Sequence, residues 1–198
     1  MPGMVRQGGL LMRSEKSRTA ARTSARRAVY RQGTKQVRVE SLDNTFAVRY
    51  REGAGAVVSE ALRAQGQVRA IEPQRLLIVE FPDAARRAAA LRQLNRWTDE
   101  GLVEFVTPVL RDAESQLRQI LTDEITVRFK STLPSQQLAA VEQEYGVTVA
   151  RQNEFVPTQF IFKVSQPKGL DTLDIASRLD AADDVEFATP NFISEYQR

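Results

Sequence analysis

Twenty-five Asp and Glu side chains are the only common proton-transfer groups in a chain that has no His and no Cys. Without His there is no usual general base, no Ser-His-Asp triad, and none of the commonest metal ligand. Without Cys there are no disulfides, no thiolate nucleophile and no cysteine-bound zinc. Carboxylate chemistry alone stays open, yet the acids form no DxD cluster and there is no HExxH. No Gly-rich phosphate loop occurs either. These residue types point away from an enzyme, and no cofactor or metal is expected. What remains is binding, so the informative residues are those that would touch a partner.

The elements that would position them come as a repeat. Thr-Phe-Ala-Val-Arg-Tyr at 45–50 echoes Glu-Ile-Thr-Val-Arg-Phe at 124–129, and Val-Glu-Phe-Val-Thr-Pro at 103–108 echoes Val-Glu-Phe-Ala-Thr-Pro at 185–190. The openers alternate apolar and polar residues, the period of a half-buried strand. Openers are offset by 79 residues and closers by 82, and the loop 153–157 accounts for the difference. Between them each copy carries a helix, two strands and a second helix. Gly66 and Gly146 stop the first helices, and Leu91 with Leu94 and Leu173 with Leu179 mark the inner stripes of the second ones.

The expected fold is therefore α+β: two tandem ferredoxin-like βαββαβ domains over 44–110 and 123–192, each a four-stranded antiparallel sheet with two helices on one face. Leu117, Ile120 and Leu121 make the connector 111–122 read as a short packed helix. One-sided covering leaves a sheet face open. In the second copy that face would show Thr126, Arg128, Thr148, Ala150, Ile161, Lys163, Glu186 and Ala188. In the first it would show Leu76 and Ile78, which are less comfortable in water. Either the two sheets meet there, or a partner does.

The charge is uneven. Residues 1–40 hold ten Lys and Arg against Glu15 and Glu40, a net of +8, while the rest of the chain is at −5. Composition makes this arm a disordered segment, and it allows contact with nucleic acid, an acidic partner or a membrane surface. It is no secretory signal, although Arg- and Ser-rich, acid-poor segments also occur as transit peptides. As written, the sequence suggests a cytoplasmic chain. No run approaches 18 apolar residues, so no membrane span is expected. A nucleic-acid binder led by the arm is the alternative, disfavoured by the acidic body and by sheet positions lacking the stacking aromatics of RNA-binding sheets. A structural tandem that dimerises through sheet faces is the third reading.

Val185, Phe187, Pro190, Asn191 and Phe192 carry a likeness to a known family. With the opener 124–130, the helix stop Tyr145-Gly146-Val147 and the ending Ile193-Ser194-Glu195-Tyr196, the second copy resembles subtilisin-like serine protease propeptides, the subtilase prodomains. The first copy shares this only through the internal repeat. The resemblance implies an inhibitor and intramolecular folding chaperone whose partner is a subtilisin-like serine protease, in cis within a longer precursor or in trans. It implies that the open sheet face, with Ile161 and Glu186, packs on the protease, and that Glu154 caps a protease helix, where the dipole favours negative charge. It further implies that Asn191, Phe192, Ile193, Ser194, Glu195 and Tyr196 lie in the substrate cleft like a cleaved product. Tyr196 would fill the specificity pocket, or Arg198 would. Residues 193–198 are thus expected to be a free inhibitory tail.

Overall fold

The computed structural model describes residues 27–32, 35–72 and 74–195. Strand β1 is Arg27–Gln32 and β2 is Lys35–Tyr50, followed by helix α1 (Gly55–Arg63), strands β3 (Gln67–Ile71) and β4 (Leu76–Glu80), helix α2 (Ala84–Asp99) and strand β5 (Val103–Asp112). The same order then recurs: β6 (Arg118–Phe129), α3 (Ser135–Tyr145), β7 (Val147–Gln152), β8 (Gln159–Val164), α4 (Asp171–Asp180) and β9 (Val185–Glu195). The result is an α+β architecture with four helices and one curled, antiparallel, nine-stranded sheet among the described residues.

Pairing repeats with the sequence. In the first unit β3 pairs with β4, β4 with β2, and β2 with β5; in the second β7 pairs with β8, β8 with β6, and β6 with β9. Each unit buries one sheet face under its helices. Val48, Leu77 and Val79 pack against Val58 and Leu62 of α1 and Ala90 and Leu94 of α2. Val127, Phe160 and Phe162 pack against Ala176 and Leu179 of α4. Local signals set the helix ends. The Asp83 side chain accepts the Arg86 N–H at 2.8 Å at the start of α2, and Gly146, at φ +65°, ends α3 in the left-handed conformation that glycine adopts without a Cβ clash.

The expectation of two separate sheets is corrected. β5 runs on to Asp112 and pairs with the start of β6, Val109 opposite Ile120 and Arg111 opposite Arg118, so the units share one sheet. Residues 111–122 accordingly form strand, turn and strand, not a helix. Leu117, Ile120 and Leu121 match a helical stripe by spacing, but Ile120 and Leu121 point to opposite faces of the sheet, and both faces are buried here. Asp112 fastens the turn: its side chain accepts the Glu114 and Ser115 N–H groups at 2.9 and 2.6 Å. Burial on its own would raise the Asp112 carboxyl, but these hydrogen bonds and nearby Lys35 outweigh it and hold the group below the usual carboxylate range.

The basic arm is also corrected in part. Its last residues, 27–32 and 35–40, build β1 and the first half of β2, with Val37 and Val39 inward. Arg27 pairs with Glu40 within the arm at 2.8 Å, while Lys35 pairs with Glu114 at 2.5 Å and Arg31 with Asp180 at 3.3 Å, which ties these two arm charges to the body. Residues 1–26 lie outside the described part of the chain.

Both long strands bend where their registers shift, β2 between Ser41 and Phe46 and β6 between Leu121 and Ile125. Beyond the bends, the outer ends of β1, β2, β5, β6 and β9 curl around Tyr30, Val37, Val39, Leu110, Leu121 and Phe192. Burial, with Asp112 close by, pushes the Tyr30 phenol upward against a hydrogen bond with Gln119 that lowers it. The opposite face of this arch, with Val109, Ile120 and Ile193, lies against Ala47, Leu76 and Ile78 of the first unit. Leu76 and Ile78, expected to be uncomfortable in water, are thus fully covered by the chain itself.

Candidate docking face and C-terminal strand

The second unit's open face has no such cover from the described residues. Cross-strand pairing sets Arg151 of β7 opposite Ile161 of β8, Ile161 opposite Thr126 of β6, and Thr126 opposite Thr189 of β9. Directly opposed residues share a face, so these four form one row across the sheet. A neighbouring row runs Gln159, Arg128, Phe187. Glu186, at the β9 register shift, pairs with Arg128 at 3.0 Å. The same shift changes the strand's alternation and turns Ala188 into the core at 2% exposure, so Ala188 is not on the open face as the sequence suggested.

Glu154 sits exposed in the loop between β7 and β8, beside Phe155. Phe155 is 91% exposed, the most exposed large apolar side chain among the described residues, and sequence reasoning passed over it. The loop that carries it is firmly tied. The Asn153 side chain accepts the Phe155 and Val156 N–H groups at 2.9 and 3.1 Å, Asn153 N–H donates to the Gln159 carbonyl at 2.8 Å, and the Gln152 amide donates to the Pro157 carbonyl at 2.8 Å. Asn two residues before an apolar residue in a short loop is an Asx-turn signal, and it was legible. Arg151, Glu154, Phe155, Gln159 and Ile161 border a shallow cleft of about 380 Å³.

A cluster of charges that includes Lys163 of this face joins the two units. Asp123, 2% exposed in its side chain, accepts from Arg49 of β2 at 3.1 Å and pairs with Lys163 of β8 at 3.1 Å. The Arg49 guanidinium lies 4.9 Å from the centroid of the Phe105 ring. Nothing in the linear sequence brings these residues together; the hairpin between β5 and β6 does.

The expected tail is in place only in part. Residues Asn191–Glu195 belong to β9, with Phe192 opposite Leu121, Ile193 opposite Ile120, Ser194 opposite Gln119 and Glu195 opposite Arg118. The Phe192 ring lies 4.9 Å from that of Tyr30, and Glu195 makes an ion pair with Arg69 of β3. Asn191 stitches the bent part of β6: it accepts from Thr126 at 2.8 Å, its amide donates to Glu124 at 3.3 Å, and its carbonyl accepts from Thr122 at 3.0 Å. These five residues are therefore held in the sheet instead of trailing free. Tyr196 and Arg198 lie outside the described residues.

The described residues thus make one curled sheet, with the outer face of the first unit covered by the chain's own arch and the equivalent face of the second unit without such cover. No group of three or more Asp or Glu that would hold a metal ion is present among them, and none of their helices is long and apolar enough to cross a membrane. Residues 107–191, the second unit with the end of β5, match the fervidolysin N-terminal prodomain family. That family is a prodomain and not a catalytic domain, in agreement with a non-enzymatic chain.

Two calcium-dependent proteases are similar over 116 residues, one from Nostoc sp. at 29% identity and one from Trichormus variabilis at 28%. The match takes in 59% of this chain and only 17% of either relative's length. Among solved structures, the small subunit of acetolactate synthase from Thermotoga maritima overlays 78% of this chain and 96% of its own. Its identity is 12% and its TM-score 0.26, too low to carry an argument.

Proposed function

We propose that the chain is a propeptide-like inhibitor, and folding chaperone, of a subtilisin-like serine protease, built from two tandem ferredoxin-like units. The observation that carries this reading is a coincidence of place. The prodomain match, 107–191, falls on the unit whose sheet face is uncovered. The protease relatives supply the class of partner, met in cis or in trans. The second unit docks through its open face, with Ile161, Glu186 and the loop bearing Glu154. The first unit serves as its scaffold.

In this reading the product-like segment that enters the protease cleft begins after Glu195. An extended segment there gains main-chain hydrogen bonds along the enzyme, and Tyr196 or Arg198 supplies the pocket residue. Asn191–Glu195 hold that segment's root to the sheet. The test is inhibition of a subtilisin-like protease by the whole chain and by a version ending at Glu195. The shorter chain keeps β9 and its ion pair with Arg69, so its stability stays unchanged, while inhibition weakens at least tenfold. Equal inhibition by both removes the product-like segment from the mechanism, and no inhibition by either removes the protease.

A further inference from the structure

A cleft of about 430 Å³ opens between the first unit's helix α2 and the second unit's loop between β8 and α4, and it shares no residue with the open face or with β9. Arg87, Leu91, Asn95 and Thr98 recur at helical spacing, so they line it from one side of α2. Val106 and Pro108 of β5 form its floor, Pro108 lying opposite Phe46 on β2. The facing wall is the loop, which forms a parallel bridge to β5 with Lys168 opposite Val106. Asp171 holds the loop in place by accepting the Lys168 N–H at 2.9 Å. Gln166 is left-handed at φ +50°, a conformation that costs energy in a residue with a Cβ and that recurs at ligand clamps.

The charges of this cleft are unevenly matched. The Arg87 guanidinium stacks on the Phe46 ring, 4.7 Å from its centroid, and its Nε is buried with no hydrogen-bond partner among the described residues. Neither Arg87 nor Lys168 has a carboxylate partner among those residues. The acids of the cleft sit toward the other end: Asp99 lies about 18 Å along α2 from Arg87, and Glu104 is already paired with Arg75 at 3.1 Å.

We infer that this cleft binds a small organic acid with an apolar body, its carboxylate recognised by Arg87 and its body resting on Leu91, Val106, Pro108 and Pro167. A guanidinium held flat on a ring offers a carboxylate a planar, two-pronged set of donors, and Lys168 adds a second positive charge from the facing wall. Apolar walls with few polar groups suit such a ligand, as does the volume. A polyanion suits the cleft less well. It would meet Asp99 and Glu104, and the cleft has only two cations to answer it. Because α2 belongs to the first unit and the loop to the second, the bound acid bridges the units and stabilises the folded chain by mass action. The site stands whether or not a protease is the partner.

Calorimetric titration of the full chain with phenylacetate, neutral phenylacetamide and inorganic phosphate tests this. Phenylacetate is expected to bind and to raise the melting temperature, and both other probes to bind about tenfold more weakly or worse. Arg87→Gln is expected to weaken phenylacetate about tenfold. Asn95→Trp, at an exposed position of α2, fills the cleft and abolishes binding while leaving Arg87 in place. No binding by the original chain, or equal binding by both altered chains, overturns the site. Loss in Asn95→Trp alone removes Arg87 as the recognising cation. Phenylacetamide binding as tightly as phenylacetate overturns the carboxylate, and phosphate binding more tightly overturns the apolar body.

Discussion

Replacing Phe129 by alanine is expected to destabilise the chain by about 4 kcal/mol. Phe129 is 1% exposed at the end of β6, with its ring edge-on to Phe160 at 6.0 Å and Phe162 at 6.3 Å. Truncation removes a whole aromatic side chain from among two other rings and the helices above them. The neighbours belong to strands fixed by pairing, so the cavity cannot readily collapse. Urea unfolding of the two proteins measures the cost. Phe155→Ala is the internal control: an equally large deletion from a 91% exposed position is expected to stay within about 0.5 kcal/mol. The contrast separates what phenylalanine does for the fold from what it does at a surface.

Asp123→Ala is expected to cost about 3 kcal/mol, for an electrostatic reason. The carboxylate is buried and answered from both units, by Arg49 of β2 and Lys163 of β8. Removing it leaves Arg49, with its side chain 17% exposed, charged and without its carboxylate. Lys163, half exposed, turns to water at little cost. The loss therefore concentrates on the junction between the units. Thermal denaturation is expected to show a midpoint lower by roughly 6–12 °C. A change below about 1 kcal/mol would mean that the ion pairs do not hold the units together.

Much of the architecture was legible from alternation and punctuation. The openers 45–50 and 124–129, the closers, Gly146 and the extra loop at 153–157 define both units where they occur. The discomfort of Leu76 and Ile78 was a sound physical inference, and the structure resolves it by covering them with the chain's own arch.

The arch itself was missed, and so was the fate of Asn191–Glu195. Its signal was present but subtle. Val109-Leu110, Ile120-Leu121 and Phe192-Ile193 are adjacent apolar pairs, and in each one residue goes to either face of the sheet. An adjacent pair breaks the simple alternation of a half-buried strand, so it reads as connector or tail unless the strand is known to be buried on both sides. Which strands meet there depends on pairing across long stretches of chain, which spacing alone does not encode. Arg151 and Phe155 were passed over for another reason. Their place beside the open face appears only when the two units are compared and one of the two equivalent faces is found uncovered.

The central claim is that the second unit's open face, and not the first unit or the basic arm, meets the protease. Hydroxyl-radical footprinting of the chain, alone and with the protease, tests it most directly. The claim predicts that Phe155 and Ile161 lose reactivity in the complex, while exposed Val57 on α1 and Val29 on β1 keep theirs. Protection of Val57 or Val29 with Phe155 unchanged would contradict it.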